Sequence, residues 1–409
     1  MKLVVVTYGT DGDTRPLAAL CRALIDAGHT AHLLADGGTL ACAEALGVPA
    51  TGLPGDIRGA VRAAAALVRR GGGFGDTAKL LARIANANTH AWLDATVAAA
   101  RGCDGIILSG LAAFVGLSAA EFLRVPGIGA GLIPITPTGD FASPFLRPGL
   151  LPHWLNRASH RLVNAVLWRA FRAATNAARA SVCGLPPRRA PWDGHAMLYG
   201  LSPSLLPRPV DWPDNAMVCG QWLPPVADWS PPAALAGFLA AGDAPIYVGF
   251  GSMAGIGRGG LLDAIVAAVG GRRALFAPGW GDATAAAADL PGNFFVVGDT
   301  PHAWLFPRTS LVIHHGGSGT AHSAARAGVP SVVVPFAADQ FFWADRLRLA
   351  GAAPAAVPAK GLRAAALAHA IGEAASETMR ARAAALGAAM ASEDGAAQAI
   401  AALPGLIGG

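Results

Sequence analysis

The chain has 409 residues, 53% hydrophobic and only 14% charged, so it holds ample material for buried cores and is not a disordered polypeptide. That length exceeds one ordinary core and suits two domains of about 200 residues each. The net charge of +5 comes from arginine, since lysine occurs only at Lys2, Lys79 and Lys360. The arginines stand as singles and pairs (Arg69-Arg70, Arg188-Arg189, Arg272-Arg273), which reads as a solvated surface rather than a nucleic-acid-binding stripe. Five cysteines (Cys21, Cys42, Cys103, Cys183, Cys219) are odd in number, far apart and without a CxxC pair. They are expected to be reduced thiols of a cytoplasmic protein. The chain opens directly on a strand-like run with no basic-then-apolar leader. Its longest apolar region, Ile106 to Ile135, is interrupted by Glu121, Arg124 and Pro126, which excludes a conventional membrane span.

Leu3 to Thr7 is a continuous apolar strand of the kind found in a parallel sheet covered on both faces. Tyr8-Gly9-Thr10-Asp11-Gly12-Asp13-Thr14-Arg15-Pro16 follows, and a helix is expected from about Pro16 to Ala27, with Gly28 beyond its last turn. Thr30 to Ala35 reads as the next strand. The chain thus begins as a βαβ unit with a Gly-rich turn at the carboxyl edge of its first strand, where such sheets bind ligands. Taken alone, Asp13 reads as a helix N-cap. Residues 55 to 100 are Ala/Arg-rich and helical in pattern, broken by Gly71-Gly72-Gly73. Gly105 to Ser109 is another buried strand, with Asp104 capping or turning before it. Gly127 to Pro137 is apolar and Gly/Pro-rich and leads into Phe141, Phe145 and Trp154; it either lines an apolar pocket or forms a core loop. His160 to Val182 is helical, with its aromatics packing. Leu185 to Pro232 is rich in Pro and Trp and poor in periodicity, which marks an interdomain region.

The second half opens with a strand and a Gly turn, Pro245 to Met253. Gly249-x-Gly251-x-x-Ala254 formally matches a dinucleotide fingerprint, which requires an acid at the end of the next strand. That strand, Arg273 to Ala277, ends in Ala277-Pro278-Gly279-Trp280 with no acid, so the nicotinamide-nucleotide reading fails. Asn293 to Val297 is a further strand. Leu311 to Ile313 leads into His314-His315-Gly316-Gly317-Ser318-Gly319-Thr320, a small-residue helix closed by Gly328 and Pro330, and a strand from Ser331 to Val334. The glycines and the helix start aim N–H groups and a positive dipole end at one spot, an arrangement built for phosphate. The latter strand is expected to deliver Asp339 and Gln340, an acceptor and an amide suited to hydroxyl groups. Phosphate and hydroxyls together point to a nucleotide sugar. As metal ligands the adjacent His314 and His315 are a poor pair, with no HxH or HxxxH partner. From Gly361 the chain is helical, over about Arg363 to Ala374 and Ser376 to Met390, ending in SEDGAAQAIAALPGLI.

The blocks HHGGSGT, GVPSVVVPF and DQFFW resemble the donor-binding signature of family 1 glycosyltransferases, in pattern the bacterial natural-product and sterol types. The turn Gly9 to Pro16 resembles the N-terminal signature GTxGDxxP, and CGQWLPP resembles the passage into the C-terminal domain. The resemblance implies an α/β protein of the GT-B type, with two Rossmann-like parallel-sheet domains facing a cleft. Residues 1–207 would bind the acceptor, 208–232 form the linker, 233–390 bind the nucleotide sugar, and 391–409 form a helix crossing back to the first domain. It implies inverting, metal-independent transfer of a hexose, glucose being expected, from a UDP- or dTDP-sugar to a hydroxyl of a small, largely apolar acceptor such as a natural product or sterol-like molecule. The donor is a co-substrate, so no cofactor is implied; nor is nucleic acid or an integral membrane segment.

By the same resemblance Asp13 is the general base. Gly12, Ser252, His314, Gly316, Gly317, Ser318, Gly319 and Thr320 meet the diphosphate side of the donor. Thr300 and Pro301 read the base edge, Trp280 is a base-side aromatic or a packing residue, and Asp339 and Gln340 hold the sugar. The chain departs from the pattern at three points. Asp299 stands where plant members stack a Trp, Pro278 where relatives place a basic residue, and His322 where plant relatives bind ribose through Glu. A nucleotide-sugar epimerase of the same architecture, or a non-catalytic partner of a glycosyltransferase, are the alternatives.

Overall fold

In a computed structural model of the protein, residues 1–69, 74–225, 229–251, 260–279 and 290–408 are described. Apolar runs without polar alternation form the strands, as required where helices cover both faces of a sheet. The first half holds β1 (Lys2–Val6), β2 (Thr30–Asp36), β3 (Ala50–Leu53), β4 (Gly105–Leu108), β5 (Gly127–Gly131), β6 (Met197–Tyr199) and β7 (Ala216–Val218). They form one seven-stranded parallel sheet in the order β3-β2-β1-β4-β5-β6-β7. The second half holds β8 (Ile246–Gly249), β9 (Ala274–Ala277), β10 (Phe294–Val296), β11 (Leu311–His314) and β12 (Ser331–Val333). These make a five-stranded parallel sheet in the order β10-β9-β8-β11-β12. Strand order reverses between β1 and β4 in one sheet and between β8 and β11 in the other. Crevices open at the carboxyl ends of the strands at such points, so the turns after β1 and β11 are the candidate site.

Two stretches read from composition fold otherwise. Gly127 to Pro137 is not a pocket-lining or core loop throughout, since its first five residues are β5. The glycines serve the neighbouring strand: a Cβ on Gly129 would lie 2.1 Å from the Met197 sulfur, and one on Gly131 2.3 Å from the Tyr199 ring. Nor is the Pro- and Trp-rich segment a plain linker. It supplies β6 and β7, and residues beyond β7, Cys219 and Trp222, join the core that holds Leu3, Leu20 and Leu33. Strands of three residues leave too short a pattern to read.

The helix Gly395–Ile407 buries Ala399 and Leu403 in that same N-terminal core. A separate cluster joins Tyr199 and Leu206 to Phe342, Trp343 and Met390, tying the two halves together behind the cleft. All five cysteines are free thiols. Among the described residues no helix is long and apolar enough to cross a membrane.

Candidate active site

The turn after β1 is helical sooner than its glycines and proline suggest. The first helix, α1, runs Asp11–Asp26, because Thr10 caps it. The Thr10 hydroxyl accepts the Gly12 N–H at 3.3 Å, while the Asp13 carboxylate accepts the Thr10 N–H at 2.8 Å and the Thr10 hydroxyl at 3.3 Å. This is a capping box, with donors at the helix start satisfied reciprocally. Asp13 is therefore the third helical residue and not the N-cap. Both bonds fall on Oδ2, which leaves Oδ1 without a hydrogen-bond partner among the described residues. Burial raises the Asp13 pKa, and the two Thr10 contacts oppose that rise. Gly9 lies so close that a Cβ there would stand 2.2 Å from Asp13 Oδ2. The N–H of Gly12 is spent inside the box.

Across the cleft, β11 ends in His314, fully buried between β8 and β12. Its Nδ1 accepts the Gly316 N–H at 3.1 Å, so the proton sits on Nε2, a buried donor with no partner among the described residues. Burial, then the nearby His315 and His302, push His314 down to about 3, so the ring is neutral. Gly316 has φ +89°, and a Cβ there would stand 2.8 Å from the Gln340 carbonyl oxygen. Gly317 is the N-cap of the helix Ser318–Arg326 and provides no side-chain cap. The first N–H groups of that helix thus remain available, at its positive end.

Asp339 and Gln340 are not carried by a strand. They open the helix Gln340–Leu349 after a loop in which Ala338 adopts φ +55°. The Gln340 side-chain oxygen accepts the N–H groups of Phe336 and Ala337, at 2.7 and 3.1 Å, which leaves its NH₂ as donor. Asp339 is the N-cap residue, but its side chain makes no capping hydrogen bond. Its Oδ2 accepts the Trp343 indole N–H at 3.0 Å, and burial raises its pKa to about 6, with a further upward push from Asp13.

Residues 281–404 match the model of the erythromycin biosynthesis protein CIII-like C-terminal domain. The chain is 34% identical over 409 residues to the O-mycaminosyltylonolide 6-deoxyallosyltransferase of Streptomyces fradiae, with 97% of this chain and 95% of that one covered. The chain belongs to the family 1 glycosyltransferases. A second relative is a sterol 3β-glucosyltransferase of Arabidopsis thaliana, 31% identical over 376 residues, covering 88% of this chain but only 60% of that longer protein. The crystal structure of glycosyltransferase VinC in complex with dTDP superposes with a TM-score of 0.65 over 100% of each chain at 18% identity, which shows the shared GT-B fold.

In this glycosyltransferase the remaining expected residues fall unevenly. Ser252 and Trp280 lie outside the described residues. Thr300 is half-buried and donates its hydroxyl to the Gly298 carbonyl at 3.2 Å, and Pro301 precedes the helical turn His302–Leu305. His322 is buried, its Nδ1 bonded to the Ser318 carbonyl and its ring edge-on to Trp343, with Nε2 unpartnered among the described residues. Asp299 is an ion-pair residue: its carboxylate meets the Arg15 guanidinium of α1 at 3.0 Å and links the loop after β10 to the first domain. Arg15 was visible only as the penultimate residue of the GTDGDTRP turn. Nothing local in sequence marks its partner, 284 positions away.

Proposed function

We propose that this enzyme transfers a hexose, glucose foremost, from a UDP- or dTDP-linked sugar to a hydroxyl of a small, largely apolar acceptor. A natural product or a sterol-like molecule fits that description, in keeping with what the macrolide and sterol relatives are named for. One observation carries the reading. Asp13 presents an oxygen with no hydrogen-bond partner among the described residues at the carboxyl edge of the first sheet, and a neutral, buried His314 donor ends β11 at the carboxyl edge of the second.

In the proposed reaction Asp13 takes the proton of the acceptor hydroxyl as its oxygen attacks the anomeric carbon. The bond from that carbon to the diphosphate oxygen breaks on the opposite face, so configuration inverts. A carboxylate whose pKa is raised by burial is a stronger base than a solvated one, and such catalysis contributes roughly 10²–10⁴-fold. The negative charge growing on the leaving diphosphate meets the N–H groups of Ser318, Gly319 and Thr320, the dipole of their helix and the Nε2–H of His314. This donor set supports a reaction that runs without a metal ion. Asp339 accepts from sugar hydroxyls and the Gln340 NH₂ donates to them, which fixes the sugar for attack.

The test is incubation of the purified protein with UDP- and dTDP-sugars, a panel of macrolide, polyketide and sterol acceptors, and a chelator. A glycoside of inverted anomeric configuration, formed undiminished with the chelator present, is the expected product. Absence of transfer from every donor, retained configuration, or loss of activity on chelation would each overturn the corresponding part of the proposal.

A further inference from the structure

Arginine looks scattered along the chain as a whole, yet between Asp140 and Asp193 there are eight arginines and no Asp, Glu or Lys. Most of this stretch is the helix Asn156–Cys183, which buries Trp168, Phe171 and Thr175 and packs on the helix Phe74–Ala100. Its outer side is apolar too. Leu162 is 66% exposed and Val166 60% exposed, one turn apart on the same row. Trp154, 80% exposed, sits in the short turn His153–Leu155 that runs straight into the helix, eight residues before Leu162 with the exposed Ala158 midway between. Arg169 lies two turns beyond Leu162, and Arg161 and Arg172 share one flank of the row; all three are exposed. Contiguous apolar tips of this kind on a solvent-facing surface mark an interaction site rather than packing.

We propose that this face docks on the anionic surface of a lipid bilayer. Trp154, Leu162 and Val166 enter the headgroup layer, and Arg161, Arg169 and Arg172 pair with lipid phosphates. The match is one of charge and shape. A row of apolar tips bordered by arginines, with no carboxylate in the stretch, is the pattern of a helix that lies in a membrane interface. The same segment also reaches the cleft: the Arg147 guanidinium stacks on Phe341 at 4.5 Å and Phe141 packs on Phe342 at 5.1 Å, next to Gln340. Docking would set the cleft beside the phase into which apolar molecules partition. The inference stands on the surface alone and holds whatever the sugar or acceptor.

Co-sedimentation of the full-length protein with vesicles tests it, using phosphatidylcholine alone and phosphatidylcholine with phosphatidylglycerol. Binding to the anionic vesicles is expected to be at least about tenfold tighter than to the neutral ones and to weaken with salt. Leu162→Asp with Val166→Asp is expected to abolish it, and Arg161→Gln with Arg169→Gln and Arg172→Gln to weaken it by about a hundredfold. Both variants change exposed side chains, so their melting temperature and nucleotide affinity stay those of the parent, and a loss of vesicle binding is separable from any fault in the active site. Equal binding to both vesicle types, or full retention by the aspartate variant, overturns the proposal. So does a concentration-dependent dimer without lipid that the aspartate variant disperses, because the face would then be a self-association surface.

Discussion

The Asp339 carboxylate accepts the Trp343 indole N–H at 3.0 Å, one turn along the helix Gln340–Leu349 that Asp339 opens as its N-cap residue. Burial is the larger cause of the raised Asp339 pKa, about 6; the Trp343 indole opposes the rise, and the charge of Asp13 adds to it. The folded-state value lies above the unfolded one, about 3.9. The folded protein therefore keeps this proton where the unfolded chain has lost it, and the associated stability is present below about pH 4 and lost as pH rises through about 6. Asp339→Asn should melt higher than the parent at neutral pH, with the difference closing towards about pH 4, while turnover falls. Thermal melts across that range decide it; a gap that stays constant with pH contradicts the assignment.

Gly9 leaves the Asp13 carboxylate its place, since a Cβ would stand 2.2 Å from Oδ2. Gly9→Ala should therefore displace the base without touching the donor side. The expected loss in kcat is about 100-fold, at the lower bound of what a general base supplies, with nucleotide affinity unchanged by calorimetry. Parent-like turnover in Gly9→Ala would show that Asp13 tolerates movement and is not the base.

His314 is neutral well below physiological pH because burial and two neighbouring histidines hold it at about 3. Nucleotide affinity should then show no histidine titration from this residue between about pH 5 and pH 8. His314→Ala removes one donor to a charged group, which corresponds to an affinity loss of roughly 10- to 100-fold. Calorimetric titration at several pH values measures both.

Arg15 and Asp299 are largely solvent-exposed, so their pair contributes about 1 kcal/mol or less to stability. Its consequence lies in holding the loop after β10 against α1. Arg15→Asp and Asp299→Arg should each lower kcat/KM several-fold with little change in melting temperature, and the double reversal should recover much of the loss. Added salt should have a parallel effect on the parent.

How much of this was legible in sequence depends on distance along the chain. The strand, turn and helix around His314 and the strand Leu3 to Thr7 are continuous apolar runs punctuated by glycine, so they declare themselves locally. The beginning of α1 does not, because the cap is a side-chain exchange between Thr10 and Asp13 that pulls the helix start back to Asp11. β6 and β7 escaped notice because three residues between prolines carry no period. Asp339 and Gln340 were placed at the right edge but on the wrong element, since the loop holding them depends on Ala338 at φ +55° and on the Gln340 oxygen accepting two N–H groups. Ion pairs such as Arg15–Asp299 exist only once both sheets have formed.

The central claim is that Asp13 acts in chemistry while His314 and its helix hold the donor. The most direct test compares the parent with Asp13→Asn, measuring turnover with a nucleotide sugar and, by calorimetry without added metal, the binding of UDP, dTDP and NAD. The account predicts that Asp13→Asn binds UDP or dTDP as the parent does, while turnover falls by about two orders of magnitude or more. Near-parental turnover in Asp13→Asn, or tight NAD binding with neither diphosphate bound, would contradict it.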